Sequence, residues 1–265
     1  MNRIQNVLNT KNKMLIPYIT PEFPIKGVTL PLLEGLFDAG SDMIEIGIPF
    51  SDPIADGPTI QHSSYVALKN GASFKKILDD VSKFREKYPT PIILMGYYNS
   101  ILSRGIENFV VEAISNGVDG VIVPDLPIDE ADKLIEISQR YGLSNIFLVA
   151  PTSSDERIKL VSEKSTHFVY CVSVMGVTGE REEFGGEDFE NFMLRVRANS
   201  NKPFVVGFGI SKRDHVLEAW RWADGAVVGS ALIKKLFNID EISKCVKVAF
   251  EFISELKNGL VEEKK

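Results

Sequence analysis

The sequence predicts a (β/α)8 barrel with an extra N-terminal helix, on three observations. Eight short, β-branched apolar runs recur along the 265 residues. Stretches of helical period separate them. The runs are apolar throughout rather than alternating, as strands of a parallel sheet covered on both faces are. Eight strands alternating with helices close most economically into a barrel, with an open doubly wound sheet as the alternative. Such barrels take about 250 residues as one domain, so residues 1–265 are read as a single unit.

The runs are residues 14–20, 43–47, 91–97 and 120–126, followed by 145–151, 167–173, 203–209 and 225–231. Gly120 and Pro203 punctuate the starts of two of them. Between the runs lie amphipathic segments such as 73–88 and 129–142. In the second, Ala131, Leu134, Ile135 and Ile137 form an apolar stripe, and Gly142 suits the helix stop. A last helix is expected over 240–257. In a barrel of this kind the chemistry sits at the C-terminal ends of the strands and in the loops that follow them.

Composition removes several classes of function. The chain is 44% hydrophobic and 25% charged, with a net charge of -6 and its Lys and Arg scattered. A nucleic-acid binder needs a basic stripe, and there is none. No apolar run approaches the roughly 20 residues of a membrane span, and the first 13 residues lack a signal peptide's apolar core. A cytoplasmic protein is expected. Cys171 and Cys245 lie far apart in apolar surroundings and read as buried thiols.

Two glycine clusters stand where barrels bind phosphate. Gly207 to Ser211 ends the seventh run, and Gly229, Ser230 and Ala231 end the eighth. Glycine lets the backbone approach an anion, and free N–H groups at a helix start point at it. Ser230 adds a hydroxyl. No Walker-type GxxxxGK[ST] occurs, so the phosphate belongs to a substrate or ligand.

The acid–base chemistry points to the second run. Glu45 is a lone carboxylate among apolar residues, and alternation puts it with Gly47 opposite Ile44 and Ile46. If the isoleucines face the helices, Glu45 faces the barrel interior. Asp52 and Asp56 follow in a Pro- and Gly-rich loop. Asp52 reads first as a turn or cap residue, whereas Asp56 precedes Gly57-Pro58 and can reach over the mouth. Glu45 in apolar walls should keep its proton while a loop Asp56 stays ionised, which gives one acid and one base. No lysine ends a strand, as a Schiff-base aldolase would need. His167 lies at the opposite end, and His62 and His215 read as helix or loop surface. No His, Asp and Glu cluster suggests a metal.

Tyr18, Tyr97, Tyr170 and Phe208 lie near strand ends and together make a flat slot for an aromatic substrate. After the sixth run, residues 176–186 are glycine-rich at both ends and charged between, as a lid would be.

Residues 44–58, reading IEIGIPFSDPIADGP, closely resemble the signature of the tryptophan synthase alpha chain family. Matches at 17–20 (PYIT), 97–99 (YYN), 124–127 (PDLP), 176–179 (GVTG), 207–211 (GFGIS) and 229–231 (GSA) follow the family's order over nearly the whole chain. The resemblance implies cleavage of indole-3-glycerol phosphate to indole and glyceraldehyde 3-phosphate, in tryptophan biosynthesis. It makes Glu45 the general acid–base and Asp56 the residue that holds the indole nitrogen. Tyr170 and Thr178 would support them. Gly179, Phe208, Gly209, Gly229 and Ser230 would bind phosphate, and Tyr18, Tyr97 and Phe208 would line the indole slot. Position 18 is often Phe in the family, a departure that leaves the aromatic wall intact.

The resemblance also implies an alpha2beta2 complex with a beta chain that carries pyridoxal phosphate, with no cofactor in this chain. Pro49, Asp52 and Pro127 would face that partner. Three other readings stay open: a different phosphosugar isomerase or epimerase, a stand-alone lyase releasing free indole, and a non-catalytic activating subunit.

Overall fold

The computed structural model describes residues 2–172, 186–207 and 209–258. It begins with α1 (Arg3–Thr10), β1 (Met14–Ile19), α2 (Thr29–Asp38) and β2 (Ile44–Gly47). Two helices, α3 (Pro58–Lys69) and α4 (Phe74–Arg85), precede β3 (Ile92–Met95), and α5 (Tyr98–Leu102) and α6 (Ile106–Ser115) precede β4 (Gly120–Ile122). A 3-10 turn (Ile128–Glu130) and α7 (Asp132–Tyr141) lead to β5 (Ser144–Ile146) and β6 (Leu148–Val149). Then come α8 (Asp155–Lys164), β7 (Val169–Val172), α9 (Glu187–Asn199), β8 (Phe204–Gly207) and α10 (Arg213–Trp222). The chain continues with β9 (Gly225–Val228), α11 (Ser230–Leu236) and α12 (Ile242–Asn258).

Among the described residues nine parallel strands form one sheet in the order β5-β4-β3-β2-β1-β9-β8-β7-β6. Its two ends, β5 and β6, are consecutive in the chain and joined through Phe147, so the ring closes as the expected (β/α)8 barrel. The run expected as one strand at 145–151 is thus divided in two. At the break the Phe147 N–H goes to the Ser165 hydroxyl (3.3 Å), while its carbonyl accepts the Tyr170 N–H (3.0 Å). The other runs also give strands shorter than their apolar stretches; those at 91–97, 120–126 and 225–231 continue past their strands, which end at Met95, Ile122 and Val228, into the loops above.

Alternation sorts the strand side chains. Met14, Ile16, Ile93, Ile122, Ile146, Phe168, Tyr170, Val205 and Val227 form one buried cluster, which is the barrel interior. Ile44, Ile46, Leu94, Val121, Val206 and Val228 belong to the cluster shared with the helices. Helix α1 closes the bottom. Its Ile4 is fully buried in the interior cluster, its Arg3 pairs with Asp119 (2.9 Å), and the Asn2 side chain accepts the Ile4 N–H (2.9 Å) as N-cap. On α7 the expected stripe is buried at Ala131, Leu134 and Ile137 and partly at Ile135, and Gly142 is the C-cap.

One device recurs at the barrel floor. Asp42, Asp119 and Asp224 each stand just before a strand and grip one residue of the neighbouring strand by both backbone groups. Their N–H groups donate to the carbonyls of Leu15 (3.1 Å), Ile92 (2.9 Å) and Phe204 (2.9 Å). Their carboxylates accept the N–H groups of the same residues at 2.8, 2.8 and 2.9 Å. These bonds extend the pairing with the next strand below the first residues of its ladder and leave the opposite end of the barrel to the chemistry.

Candidate active site

Glu45 sits in the middle of β2, with Tyr18 of β1 and Ile93 of β3 as its register partners. Ile44 and Ile46 face the helices, so its side chain enters the barrel, where it is 2% exposed. Burial first, and then the Asp56 carboxylate, push its carboxyl up to about 8. At neutral pH Glu45 therefore holds a proton, as a general acid must.

Asp56 belongs to the loop that follows β2 and ends at Pro58, the first residue of α3. Tyr97, just past β3, reaches across to this loop. Its hydroxyl donates to Asp56 Oδ2 (3.1 Å) and accepts the Ala55 N–H (2.9 Å), while its ring stacks on Phe50 at 5.2 Å. The Gln61 side chain ties the Asp56 carbonyl to α3 (2.8 Å). Burial pushes the Asp56 carboxyl above its ordinary value, and the Tyr97 hydrogen bond pulls it back. Burial and the Asp56 charge keep the Tyr97 phenol protonated, hence a donor. The expected aromatic wall residue is thus also the tether of the loop carboxylate.

Two tyrosines roof the interior over two glycines. A Cβ on Gly47 would stand 1.9 Å from the Tyr18 hydroxyl, and one on Gly207 would stand 2.0 Å from the Tyr170 hydroxyl. Both positions have to be glycine for the rings to lie across the mouth. Tyr18 is 8% and Tyr170 4% exposed. Burial chiefly, with Asp56 and Glu45 adding for Tyr18 and Glu45 for Tyr170, holds both phenols protonated. Tyr18 also packs on Gly229, where a Cβ would lie 3.5 Å from its own. It therefore links the carboxylates to the glycine loops.

Those loops are neighbours because β8 and β9 pair in register. Gly209 is exposed with φ +78°, a left-handed conformation open to glycine. Gly229 is half-buried, and exposed Ser230 opens α11. The expectation that His215 lies on the surface is corrected: it is 6% exposed, with Nδ1 3.1 Å from the Gly209 carbonyl oxygen. Its position in the first turn of α10 turns the ring inward under the loop. His62 is exposed on α3, and His167 lies just before β7, at the opposite end.

Asp52 and Pro127 are exposed and Pro49 is half-buried. The Asp52 carboxylate accepts the Ser51 hydroxyl, and its carbonyl accepts the Ile54 N–H at 2.9 Å. Two residues on from Asp52, Ile54 is 86% exposed, a large apolar side chain that sequence reasoning passed over. Thr178, Gly179, Phe208 and the expected lid up to residue 185 lie outside the described residues. Among the described residues no group of three His, Cys, Asp or Glu gathers as a metal site requires, and no helix is long and apolar enough to cross a membrane.

A family model described as "Tryptophan synthase alpha chain" matches residues 4–261. A tryptophan synthase alpha chain from Chlorobium chlorochromatii is 43% identical over 264 residues, covering 97% of this chain and 99% of its own. One from Petrotoga mobilis is 43% identical over 258 residues, with the same coverage. A chain of the tryptophan synthase a2b2 complex from Pyrococcus furiosus superimposes with a TM-score of 0.87 at 43% identity, covering 93% of this chain and 98% of that one.

Proposed function

The chain belongs to the tryptophan synthase alpha chain family, a lyase subunit that cleaves indole-3-glycerol phosphate, and on that premise we propose that Glu45 and Asp56 divide the chemistry of the cleavage. The observation that carries this reading is the buried Glu45 carboxyl, facing into the barrel and still protonated at neutral pH beside a second carboxylate.

The reaction breaks the bond between indole C3 and the glycerol carbon that bears a hydroxyl. C3 must first be protonated so that it can leave with the bonding electron pair. Glu45 delivers that proton, and positive charge grows on the ring nitrogen. Asp56, steadied by Tyr97, accepts a hydrogen bond from the ring N–H and stabilises that charge. Glu45, now a carboxylate, takes the proton of the glycerol hydroxyl as the C–C bond breaks. The hydroxyl carbon becomes the aldehyde of glyceraldehyde 3-phosphate, and indole leaves with its electrons restored. Each proton that Glu45 gives it recovers, so it ends ready for the next turnover.

Tyr18 and Tyr97 supply the walls of the indole slot, and Tyr170 packs over Gly207 beside Glu45. Gly209, Gly229 and Ser230 receive the phosphate on adjacent loops, with Gly179 and Phe208 added by resemblance, which also gives Thr178 as a support of the carboxylates. Tyr18, in contact with Gly229 and paired in register with Glu45, spans the two ends of the substrate.

The partner is a beta chain, two of each in the complex, which carries the pyridoxal phosphate; this chain needs no cofactor of its own. Pro49, Asp52 and Pro127 belong to the facing surface, and exposed Ile54 joins them. Ile54 and Asp56 share one short loop tethered at Tyr97, so a partner pressing on Ile54 acts on the segment that places Asp56.

The test is release of indole and glyceraldehyde 3-phosphate from indole-3-glycerol phosphate, with and without a cognate beta chain. Slow cleavage alone and faster cleavage with the partner is the expected result. Fast cleavage alone identifies a stand-alone lyase, and no cleavage by the folded complex overturns the reading.

A further inference from the structure

The imidazole of His215 is buried beneath the loop that joins β8 to α10. Its Nδ1 stands 3.1 Å from the Gly209 carbonyl oxygen and 3.4 Å from the Ser211 hydroxyl oxygen, and the Ser211 backbone N–H is aimed at it across 3.4 Å. The Gly209 carbonyl can only accept, and the Ser211 N–H can only donate, so the two contacts belong to different tautomers; the shorter one, to the carbonyl, takes the proton on Nδ1, and in that tautomer the Ser211 N–H is not bonded to the ring. That N–H forks between the Gly209 carbonyl and the Ser211 hydroxyl oxygen.

The consequence falls on the peptide group between Gly209 and Ile210. Its carbonyl is turned toward α10, and in a trans peptide the N–H points the opposite way, so the Ile210 N–H is directed away from α10. Gly209 accommodates this with φ +78°. An anion approaching the loop is then spared a carbonyl oxygen, whose partial negative charge repels it, and meets N–H groups instead.

We propose that His215 is a positioning residue of the phosphate loop: its Nδ1–H holds the Gly209 carbonyl under α10 and so keeps the loop in its anion-accepting form. This rests on the reading of Gly209, Gly229 and Ser230 as the phosphate grip. His215 itself touches no substrate atom. Its effect is on phosphate affinity and not on the acid–base step.

The probe is glycerol 3-phosphate, with indole as the control, each titrated into the full chain by calorimetry. His215→Asn places an amide N–H close to the position of Nδ1, His215→Gln carries it one bond further, and His215→Leu has none. The Leu and Gln variants are expected to bind glycerol 3-phosphate about tenfold more weakly, the worth of one hydrogen bond. His215→Asn restores the affinity, and indole affinity stays unchanged in all three. Equal weakening of both ligands, unchanged glycerol 3-phosphate affinity in the Leu and Gln variants, or no recovery with Asn overturns the proposal. If His215→Leu does not fold, the Asn and Gln pair decides it. Ser230→Asp separates this inference from the reading beneath it, because a negative charge at that exposed position must expel the phosphate. Normal glycerol 3-phosphate binding by Ser230→Asp overturns the phosphate site and the inference together. Lost binding there with normal binding by His215→Gln overturns the inference alone.

Discussion

The Tyr97 hydroxyl donates to Asp56 Oδ2 at 3.1 Å while accepting the Ala55 N–H at 2.9 Å, so one phenol fixes both the carboxylate and the backbone beside it. Tyr97→Phe keeps the stack on Phe50 and removes only these two bonds. We expect kcat/KM for indole-3-glycerol phosphate to fall about tenfold or more, the worth of one or two hydrogen bonds in the transition state. Thermal stability should change little. Steady-state kinetics beside a melting curve check this, and unchanged kcat/KM would remove Tyr97 from the placement of Asp56.

Glu45 sets the basic limb of the pH profile. With its carboxyl pushed up to about 8, the acid form is lost as pH rises through that value, and kcat/KM should fall on the same limb. The linkage to stability has the same sign. The folded chain holds a proton that the unfolded carboxyl, with its ordinary value of 4.5, releases. The contribution is therefore complete below about 4.5 and lost progressively as pH rises toward 8. Denaturant melts of the native chain and Glu45→Gln from pH 5 to 9 should converge at low pH and diverge at high pH, with the native chain losing more.

Gly47 is needed for the space it leaves. An added Cβ would lie 1.9 Å from the Tyr18 hydroxyl and 2.6 Å from the ring carbon that bears it. Gly47→Ala should cost about 1–3 kcal/mol of stability by overpacking and weaken indole binding as the ring is displaced. Tyr18→Phe in that background recovers only part, because the ring carbon still collides. Full recovery by Tyr18→Phe would contradict this geometry.

The barrel floor acts on stability alone. Asp119 accepts the Ile92 N–H at 2.8 Å and pairs with Arg3 at 2.9 Å and with Arg85 at 3.1 Å. The Arg85 side chain is 12% exposed, and burial outweighs Asp119 in pushing its guanidinium down to about 10. Asp119→Asn leaves that cation with weaker support and should cost about 3 kcal/mol, at the lower end for breaking a buried pair. A denaturant melt reads the loss. Activity well below the new melting temperature should be unaltered, and a loss of kcat there would refute the division of labour between floor and mouth.

The period of the apolar runs carried the barrel, because a strand covered on both faces leaves a run that no turn or surface helix imitates. The division at Phe147 was not legible, since a backbone N–H diverted to Ser165 leaves no mark on an apolar run. Asp42, Asp119 and Asp224 did leave one. Each stands directly before its apolar run, a signal that alternation alone does not weigh. At the site, Glu45 was legible because a carboxylate inside an apolar run needs a reason to be there. His215 was not, because α10 carries charged residues on either side of it and inward rotation depends on where the helix starts. The tether from Tyr97 to Asp56 joins residues 41 positions apart, and only the closed barrel brings them together.

The role of Glu45 is tested most directly by Glu45→Gln, assayed as the complex with a cognate beta chain by rapid quench of glyceraldehyde 3-phosphate release. The amide keeps the shape and cannot give or take the proton. The predicted result is a kcat lower by about 10³-fold, within the range of general acid–base catalysis, with KM within a few-fold of the native value. Turnover near the native rate would contradict it and remove Glu45 from the chemistry.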